Sequence, residues 1–337
     1  MITIAINGFG RIGRNFLRTI MLDAKTKKQI KVAVINIGPA NPDIIAHLFK
    51  YDTLMGTFPG TVTKRNSDLV INGTAIKIID ECDPANINWK KYAVDWVVES
   101  SGCFTESTEA EQHLKSGAKH VLITAPAKGK VVTIIPGVNE QDFNPKKDTI
   151  VSLGSCTTNA FIPSLKVLND AFRIKEAFMT TIHAYTNTQV LLDLEAKDER
   201  RSRAAALNII PTTTGASTLV GKILPELEGK VQAVAIRVPV AKVSIIDLVF
   251  SAHKKMTPKL INDAFRKAGT QRMKGIVDVS MEPLVSSDYS GNDYSVIIDG
   301  LLTSVQGTMG KIFGWYDNEW GYSVRLKDFL LYVNKKR

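Results

Sequence analysis

Ile2-Thr3-Ile4-Ala5-Ile6-Asn7-Gly8-Phe9-Gly10-Arg11-Ile12-Gly13-Arg14 decides the fold of the first half of this chain. Residues 2–6 are a short run rich in β-formers. Asn15-Phe16-Leu17-Arg18-Thr19-Ile20 follows with helical spacing. Between strand and helix, Gly8, Gly10 and Gly13 give the spacing G-x-G-x-x-G. In that setting the first glycine permits a tight turn and the second lets a pyrophosphate approach the backbone. The third lets helix and strand pack closely, and the helix N-terminus faces the phosphate charge. The reading is a dinucleotide-binding turn; the alternative is a glycine-rich turn with no ligand.

The pattern continues outward. Lys31-Val32-Ala33-Val34-Ile35-Asn36 is a second strand, Trp96 to Ser100 a third and Lys119 to Thr124 a fourth. Helical stretches at 43–50 and 106–117 separate them, and Asn72-Gly73 turns a hairpin within 69–79. Strands alternating with helices predict a mostly parallel sheet with right-handed crossovers. Ligands then gather at strand ends near residues 7–13, 36–38, 100–102 and 124–126. An acid for the adenosine ribose normally follows the second strand, but Ile37 stands there. NADP is thereby admissible beside NAD, although the loop Gly38-Pro39-Ala40-Asn41-Pro42 offers no Lys or Arg for a 2′-phosphate.

Composition narrows the class. The 337 residues suffice for two domains, and 44% hydrophobic with 23% charged residues is ordinary for a globular protein. Three cysteines make no disulfide framework and fit a reducing compartment. The N-terminus lacks the features of a signal peptide, and no apolar run reaches membrane-spanning length, so the expected location is cytoplasmic with no membrane partner. The net charge of +10 suits small anions. Basic residues are scattered, densest at Lys197, Arg200, Arg201 and Arg203, with no interleaved aromatic-basic motif. No specific nucleic acid and no metal is expected.

The chemistry centres on Ser155-Cys156-Thr157-Thr158-Asn159, between a strand-like run at 148–153 and a helical one at 160–168. A cysteine at a strand-to-helix turn meets unpaired N–H groups and a positive dipole end, which favour thiolate. The alternative is a buried structural cysteine. Of five histidines, His183 ends a strand in the same half. His47 and His113 lie on helical patterns as surface or core-edge residues, and His120 and His253 sit beside lysines as solvated ones. Pro211-Thr212-Thr213-Thr214-Gly215-Ala216 offers a phosphate nest, Arg237 ends an apolar strand, and Arg201 lies in a basic loop. Their plain alternatives are a helix cap, a buried ion pair and a solvated loop. Together these parts suit oxidation of a phosphorylated aldehyde. A Cys156 thiohemiacetal forms, His183 takes its hydroxyl proton, and the resulting thioester is released by phosphate or water.

Beyond residue 156 the texture changes. Segments 177–182, 231–236, 241–250 and 295–302 predict a largely antiparallel sheet, with helices near 218–226, 257–268 and 321–335. The expected fold is α/β. A Rossmann-type dinucleotide-binding domain spans 1–154, completed by a C-terminal helix at 319–337, and an α+β catalytic domain spans 155–318.

Over essentially its whole length the chain resembles phosphorylating glyceraldehyde-3-phosphate dehydrogenase. The resemblance is carried by 7–14, Tyr51-Asp52, 155–159, His183 with Thr186 and Gln189, 201–206, 209–215, Arg237-Val238-Pro239 and 315–322. It implies Cys156 as nucleophile and His183 as its activator and base. It implies one phosphate site from Thr186 and Arg237, and another from Ser155, Thr157, Arg201, Thr214 and Gly215. Cofactor contacts would come from the Asn7 to Gly13 turn, with Arg11 and Ile12 on the pyrophosphate, from Thr124, and from Asn318 on the nicotinamide amide. The implied partners are glyceraldehyde 3-phosphate and inorganic phosphate, and the implied assembly is a homotetramer with the loop at 184–207 near a neighbour's cofactor. Besides Ile37, Cys82 replaces a common basic residue, Ala160 a second cysteine, and Leu153-Gly154 an Asn-Ala pair. Two rivals stand beside this reading: erythrose-4-phosphate dehydrogenase, in which water releases the acyl group, and a non-enzymatic nucleic-acid or surface-binding role.

Overall fold

A computed structural model describes residues 1–196 and 198–336; Lys197 of the basic cluster lies outside the described residues. The chain divides into two compact units. One holds Met1–Ile134, Glu140–Gly154 and the chain from Ser323 on; the other holds Ile135–Asn139 and Ser155–Tyr322.

The first unit contains β1 (Ile2–Asn7), α1 (Arg11–Met21), α2 (Ala24–Lys27), β2 (Ile30–Asn36) and α3 (Pro42–Lys50). Then come β3 (Val62–Arg65), β4 (Asp68–Ile71), β5 (Thr74–Ile79), β6 (Trp96–Glu99), α4 (Ser107–Lys115), β7 (His120–Ile123), β8 (Val132–Thr133) and β9 (Ile150–Ser152). The strand order is β3-β4-β5-β2-β1-β6-β7-β9-β8. Every pair from β5 to β8 is parallel, and only β3, β4 and β5 run antiparallel. Asn72 and Gly73 turn the β4–β5 hairpin with φ of 47° and 79°, as the dipeptide predicts. Strands β1, β2 and β6 read as near-continuous apolar runs, and Ile4, Ala5, Ile6, Val34, Ile35, Val97 and Val98 are all buried. The chain leaves β1 for β2 on one side and returns to β6 on the other. This reversal opens a crevice beyond Asn7, Asn36 and Glu99, where dinucleotides bind in such sheets.

The second unit contains α5 (Cys156–Phe172), β10 (Ile174–Ala184), β11 (Ile210–Thr212), α6 (Ala216–Ile223), β12 (Val231–Val238) and β13 (Ser244–Ala252). It continues with α7 (Pro258–Thr270), β14 (Val277–Ser280), β15 (Val296–Asp299), β16 (Ser304–Gln306) and β17 (Met309–Tyr316), before α8 (Trp320–Lys335). The order β11-β12-β10-β13-β17-β15-β14 is mostly antiparallel, with parallel pairs at β10–β12 and β14–β15. Phe161, Leu165 and Leu168 of α5 and Phe265 of α7 share one core with Met179, Leu248, Phe250 and Ile312 of the sheet. Helix α6 stops at Ile223, short of the expected 226, because Pro225 lacks the N–H to continue it. No described helix is long and apolar enough to cross a membrane.

Strand β17 escapes sequence reading, and its glycines explain why. Gly310 and Gly314 occupy inward positions where a larger residue would signal a strand. A Cβ on Gly310 would lie 2.5 Å from the Phe250 ring, and one on Gly314 would lie 2.6 Å from Val296. These strand glycines mark close approach of neighbouring side chains. Gly310→Ala is expected to destabilise the fold by about 1–3 kcal/mol through overpacking. A urea titration should show a lower midpoint at unchanged slope; an unmoved midpoint would contradict the packing account.

Candidate active site

Ser155 is the N-cap of α5, extended at φ −112° and ψ 171°, and its Oγ accepts the Thr158 N–H. Thr, Thr and Asn are weak helix formers, so this cap lets the helix begin at Cys156, four residues before the apolar pattern suggests. Cys156 is therefore the first helical residue, half-buried, with its backbone at the positive end of the helix.

Its Sγ lies 3.5 Å from Nε2 of His183, the penultimate residue of β10. His183 pairs in register with Arg237 of the parallel neighbour β12, so both side chains stand on one face. Arg237 Nη1 sits 2.7 Å from His183 Nδ1 and donates to the Ala184 carbonyl at 3.0 Å. The same carbonyl is 2.6 Å from Nδ1. The Arg237 Nε–H is buried without a partner. Arg237 thus enters no carboxylate pair among the described residues; it faces the imidazole.

Burial pushes the Cys156 thiol above its ordinary value. The Arg237 guanidinium, the Thr157 hydroxyl and nearby N–H groups oppose this without reversing it. Burial, helped by Arg237, holds the His183 imidazole down to about 3, against the pull of the Ala184 carbonyl. At neutral pH the pair is a thiol beside a neutral imidazole. The helix-end thiolate expected from sequence gives way to desolvation, which sequence spacing does not register.

Several contacts here had no sequence signal. Tyr316 bonds Thr157 Oγ1 at 2.9 Å and Thr181 Oγ1 at 2.7 Å, joining α5 to β10 beneath the histidine ring. The Thr157 hydroxyl is thereby committed inward. Ser244 Oγ accepts the Ala184 N–H and donates to Asn318 Oδ1. The buried Lys242–Asp317 pair, at 3.0 Å, pins the turn carrying Asn318, since Asp317 also accepts the Gly291, Glu319 and Trp320 N–H groups.

The remaining anion candidates form a second group. Arg201 Nε donates to Thr212 Oγ1 at 2.9 Å. Burial holds the Arg237 guanidinium below its ordinary value and the Arg201 charge adds to this, so the two guanidiniums share one field. Gly215 caps α6 without a side chain, and Thr214 Oγ1 accepts the Ala216 N–H. Thr186 hydrogen-bonds within its own loop, to Thr188 and Gln189.

The glycine turn lies in the first unit. Gly8 adopts φ +89°, and a Cβ there would meet the Ser101 nitrogen at 2.3 Å; one on Gly13 would meet the Gly8 oxygen at 2.4 Å. Gly10 caps α1 without a side-chain bond and faces open space. The first N–H groups of α1, Arg11 and Ile12 among them, are thus presented as a cradle that any Cβ at Gly10 would narrow, and a diphosphate fits it. Arg11 pairs with Asp52; although burial raises the Asp52 carboxyl, hydrogen bonds from Arg11, Met55 and Leu54 hold it below its ordinary value. Thr124 bonds the Glu99 carbonyl beside the crevice, and Ile37 is buried. Of the histidines expected at the surface or in solvent, His113 is fully buried and His120 stacks on Trp96 at 4.5 Å. Helix amphipathicity and neighbouring lysines mislead where an aromatic partner covers the ring.

A glycine turn fit for a dinucleotide in one unit and a cysteine–histidine pair in the other are the parts expected of a nicotinamide oxidoreductase. Comparison with known proteins narrows this class. The family model for the NAD binding domain of glyceraldehyde 3-phosphate dehydrogenase matches residues 2–107, and that for its C-terminal domain matches 155–318. The chain is 47% identical to glyceraldehyde-3-phosphate dehydrogenase 1 of Bacillus cereus, across 100% of this chain and 99% of that one. It is 46% identical to glyceraldehyde-3-phosphate dehydrogenase of Geobacillus stearothermophilus, across 99% of each. It is 44% identical to glyceraldehyde-3-phosphate dehydrogenase 2 of Bacillus subtilis, across 98% of this chain and 96% of that one. The chain belongs to the glyceraldehyde-3-phosphate dehydrogenase family, and its first unit carries that family's NAD binding domain.

The titration directions give a test. Alkylation of Cys156 by iodoacetamide should rise with pH along a single limb centred above the ordinary thiol value. Arg237→Ala removes a charge that favours thiolate, so its limb should move to higher pH. A limb moving to lower pH would contradict the assigned role of Arg237.

Proposed function

We propose that this chain oxidises glyceraldehyde 3-phosphate to 1,3-bisphosphoglycerate with reduction of NAD, a step of glycolysis that also runs in reverse. The observation that carries the reading is Cys156 Sγ at 3.5 Å from His183 Nε2, with the Arg237 guanidinium against the same ring. Cys156 adds to the aldehyde carbon as His183 accepts the thiol proton, giving a hemithioacetal oxyanion. That oxyanion takes a proton and loses it again through His183 as the carbon is oxidised, leaving a thioester on Cys156. NAD, when bound, supplies the hydride acceptor. Inorganic phosphate then attacks the thioester carbon, and the Cys156 sulfur departs and regains its proton. The Cys156 N–H at the start of α5 is placed to steady the oxyanion.

Residue roles follow the chemistry. Arg237, with its spare buried N–H, and Thr186 would hold one phosphate. Arg201, Thr214 and Gly215, with Ser155 and the backbone of Thr157, whose hydroxyl Tyr316 occupies, would hold the other. Asn7, Gly8, Gly10, Arg11, Ile12, Gly13 and Thr124 would hold NAD in the first unit, and Asn318, fixed by Ser244 and the Asp317 turn, would hold the nicotinamide amide. The two units would serve as dinucleotide-binding and catalytic domains. A homotetramer is supported by the apolar, exposed Phe178, Val234 and Val249 on one sheet face and by Leu191, Leu192 and Leu207 on the loop beyond β10. A cytoplasmic location accords with the three unpaired cysteines.

Phosphate release of the acyl group, rather than the hydrolysis of an erythrose-4-phosphate enzyme, is supported by the intact turn at Thr212–Gly215. Omitting inorganic phosphate should abolish acyl-phosphate formation, whereas full-rate turnover without phosphate would sink this reading. Cys156→Ser should lower kcat by about 1,000-fold or more.

The missing acid at Ile37 has a substitute. Asn36 bonds the backbone of Glu81 in both directions, which brings the acidic run Asp80-Glu81-Cys82-Asp83 beside the end of β2. These carboxylates would repel a 2′-phosphate. A kcat/KM for NAD about 100-fold above that for NADP is expected; parity between the cofactors would show that the loss at Ile37 is uncompensated.

A further inference from the structure

A row of buried polar side chains underlies the glycine turn. Register places it there: Asn7 is the Cα partner of Asn36 on β2 and of Glu99 on β6. The three residues end three adjacent strands. Asn36 Nδ2 donates to Asn7 Oδ1 at 2.7 Å, and Asn7 Nδ2 donates to Glu99 Oε2 at 2.5 Å. Glu99 Oε2 lies 3.0 Å from His113 Nε2, and Trp89 Nε1 lies 3.1 Å from His113 Nδ1. All five side chains are buried.

Donor chemistry gives the row one direction. An indole N–H only donates, so His113 Nδ1 must accept. The His113 proton then sits on Nε2 and is donated to Glu99. Glu99 Oε1 accepts twice more, from the Ser101 N–H at 2.7 Å and from Ser101 Oγ. Its four acceptor contacts are filled by four donors.

The consequence falls on the cradle. Glu99 holds Asn7 on one side and Ser101 on the other, and Gly8 lies between them. The Gly8 α-carbon packs so tightly on the Ser101 backbone that a Cβ would collide with it. Ser100 Oγ donates to the Gly8 carbonyl at 2.6 Å. The turn that faces the diphosphate is therefore clamped by groups that face away from it.

We propose that Glu99, oriented by His113 and Trp89, is a positioning residue for NAD: it sets the shape of the Asn7 to Gly13 turn and of Ser101 without touching the cofactor. The proposal rests on NAD binding at that turn.

Glu99→Gln is the sharpest probe. An amide offers one oxygen and one NH2, so either orientation sets a donor against Asn7 and His113 or against Ser101. The free enzyme should bind NAD about 10-fold more weakly by calorimetric titration. KM for NAD should rise in step, while kcat at saturating NAD stays within about twofold of the parent. His113→Leu, which keeps bulk but removes the donor, should behave alike, and His113→Gln, whose amide can again donate to Glu99, should recover most of the affinity. If Glu99→Gln does not fold, the two His113 variants decide. Unchanged NAD affinity in Glu99→Gln or His113→Leu, equal losses in both His113 variants, or a fall in kcat with KM unchanged would overturn the proposal. Failure of the parent enzyme itself to bind NAD would instead overturn the reading of the turn.

Discussion

The parallel register of β10 against β12 is the constraint on which the candidate site of the second unit depends. It sets His183 opposite Arg237, and a slip of one residue would send one of them through to the other face of the sheet. The same strands fix the rest. β13, paired antiparallel to β10, brings Ser244 to the Ala184 N–H. β17, paired to β13, brings Tyr316 to the two threonines beneath the histidine. Only α5 enters from outside the sheet, and its first residue is Cys156, the nucleophile of the proposed reaction. A rigid sheet and a capped helix thus hold sulfur and imidazole in place with no loop between them.

A second constraint is that these groups are buried. Desolvation raises the thiol and lowers the imidazole, which keeps both neutral. A neutral pair costs far less to bury than an ion pair. The chain therefore does not store a thiolate at rest. It holds the means of making one, an imidazole nitrogen within reach of the sulfur and a helix end behind it.

The sequence made much of this legible, for reasons that are local. Strand, glycine turn and helix at the N-terminus are contiguous, so their spacing alone predicts the parallel sheet and the cradle. Cys156 and His183 each sit at an element boundary, where a reactive side chain contrasts with the apolar run beside it. What stayed hidden is non-local. β17 hides because Gly310 and Gly314 make room for Phe250, Val296 and Ile246. Tyr316, Ser244 and the Lys242–Asp317 pair acquire meaning only through partners far along the chain. His113 looks like a helix-surface histidine until Trp89 covers it, and Arg237 looks like half of an ion pair until its partner proves to be an imidazole. The start of α5 is hidden because propensity argues against Thr-Thr-Asn, whereas a single cap hydrogen bond decides the matter.

In the proposed reaction, the contact between Arg237 and His183 would link substrate binding to base strength. Two hydrogen-bonding arrangements answer the geometry at Nδ1. Either Arg237 donates to a bare Nδ1, which places the ring proton on Nε2 facing Cys156, or Nδ1–H donates to the Ala184 carbonyl and leaves Nε2 bare. Only the second can take the thiol proton. A guanidinium has no acceptor, so its approach to Nδ1 favours the first. An anion held by Arg237 would favour the second: the guanidinium offers it a buried Nε–H with no partner, and a donor turned towards the anion is turned away from Nδ1. It also neutralises a charge that lowers the proton affinity of His183. In the reaction proposed above, both effects would make His183 a better base with a phosphorylated substrate bound than without one. The binding energy of the phosphate would then be spent at the sulfur, several bonds away from the group that supplies it, which is how a remote part of a substrate contributes to kcat rather than to KM alone.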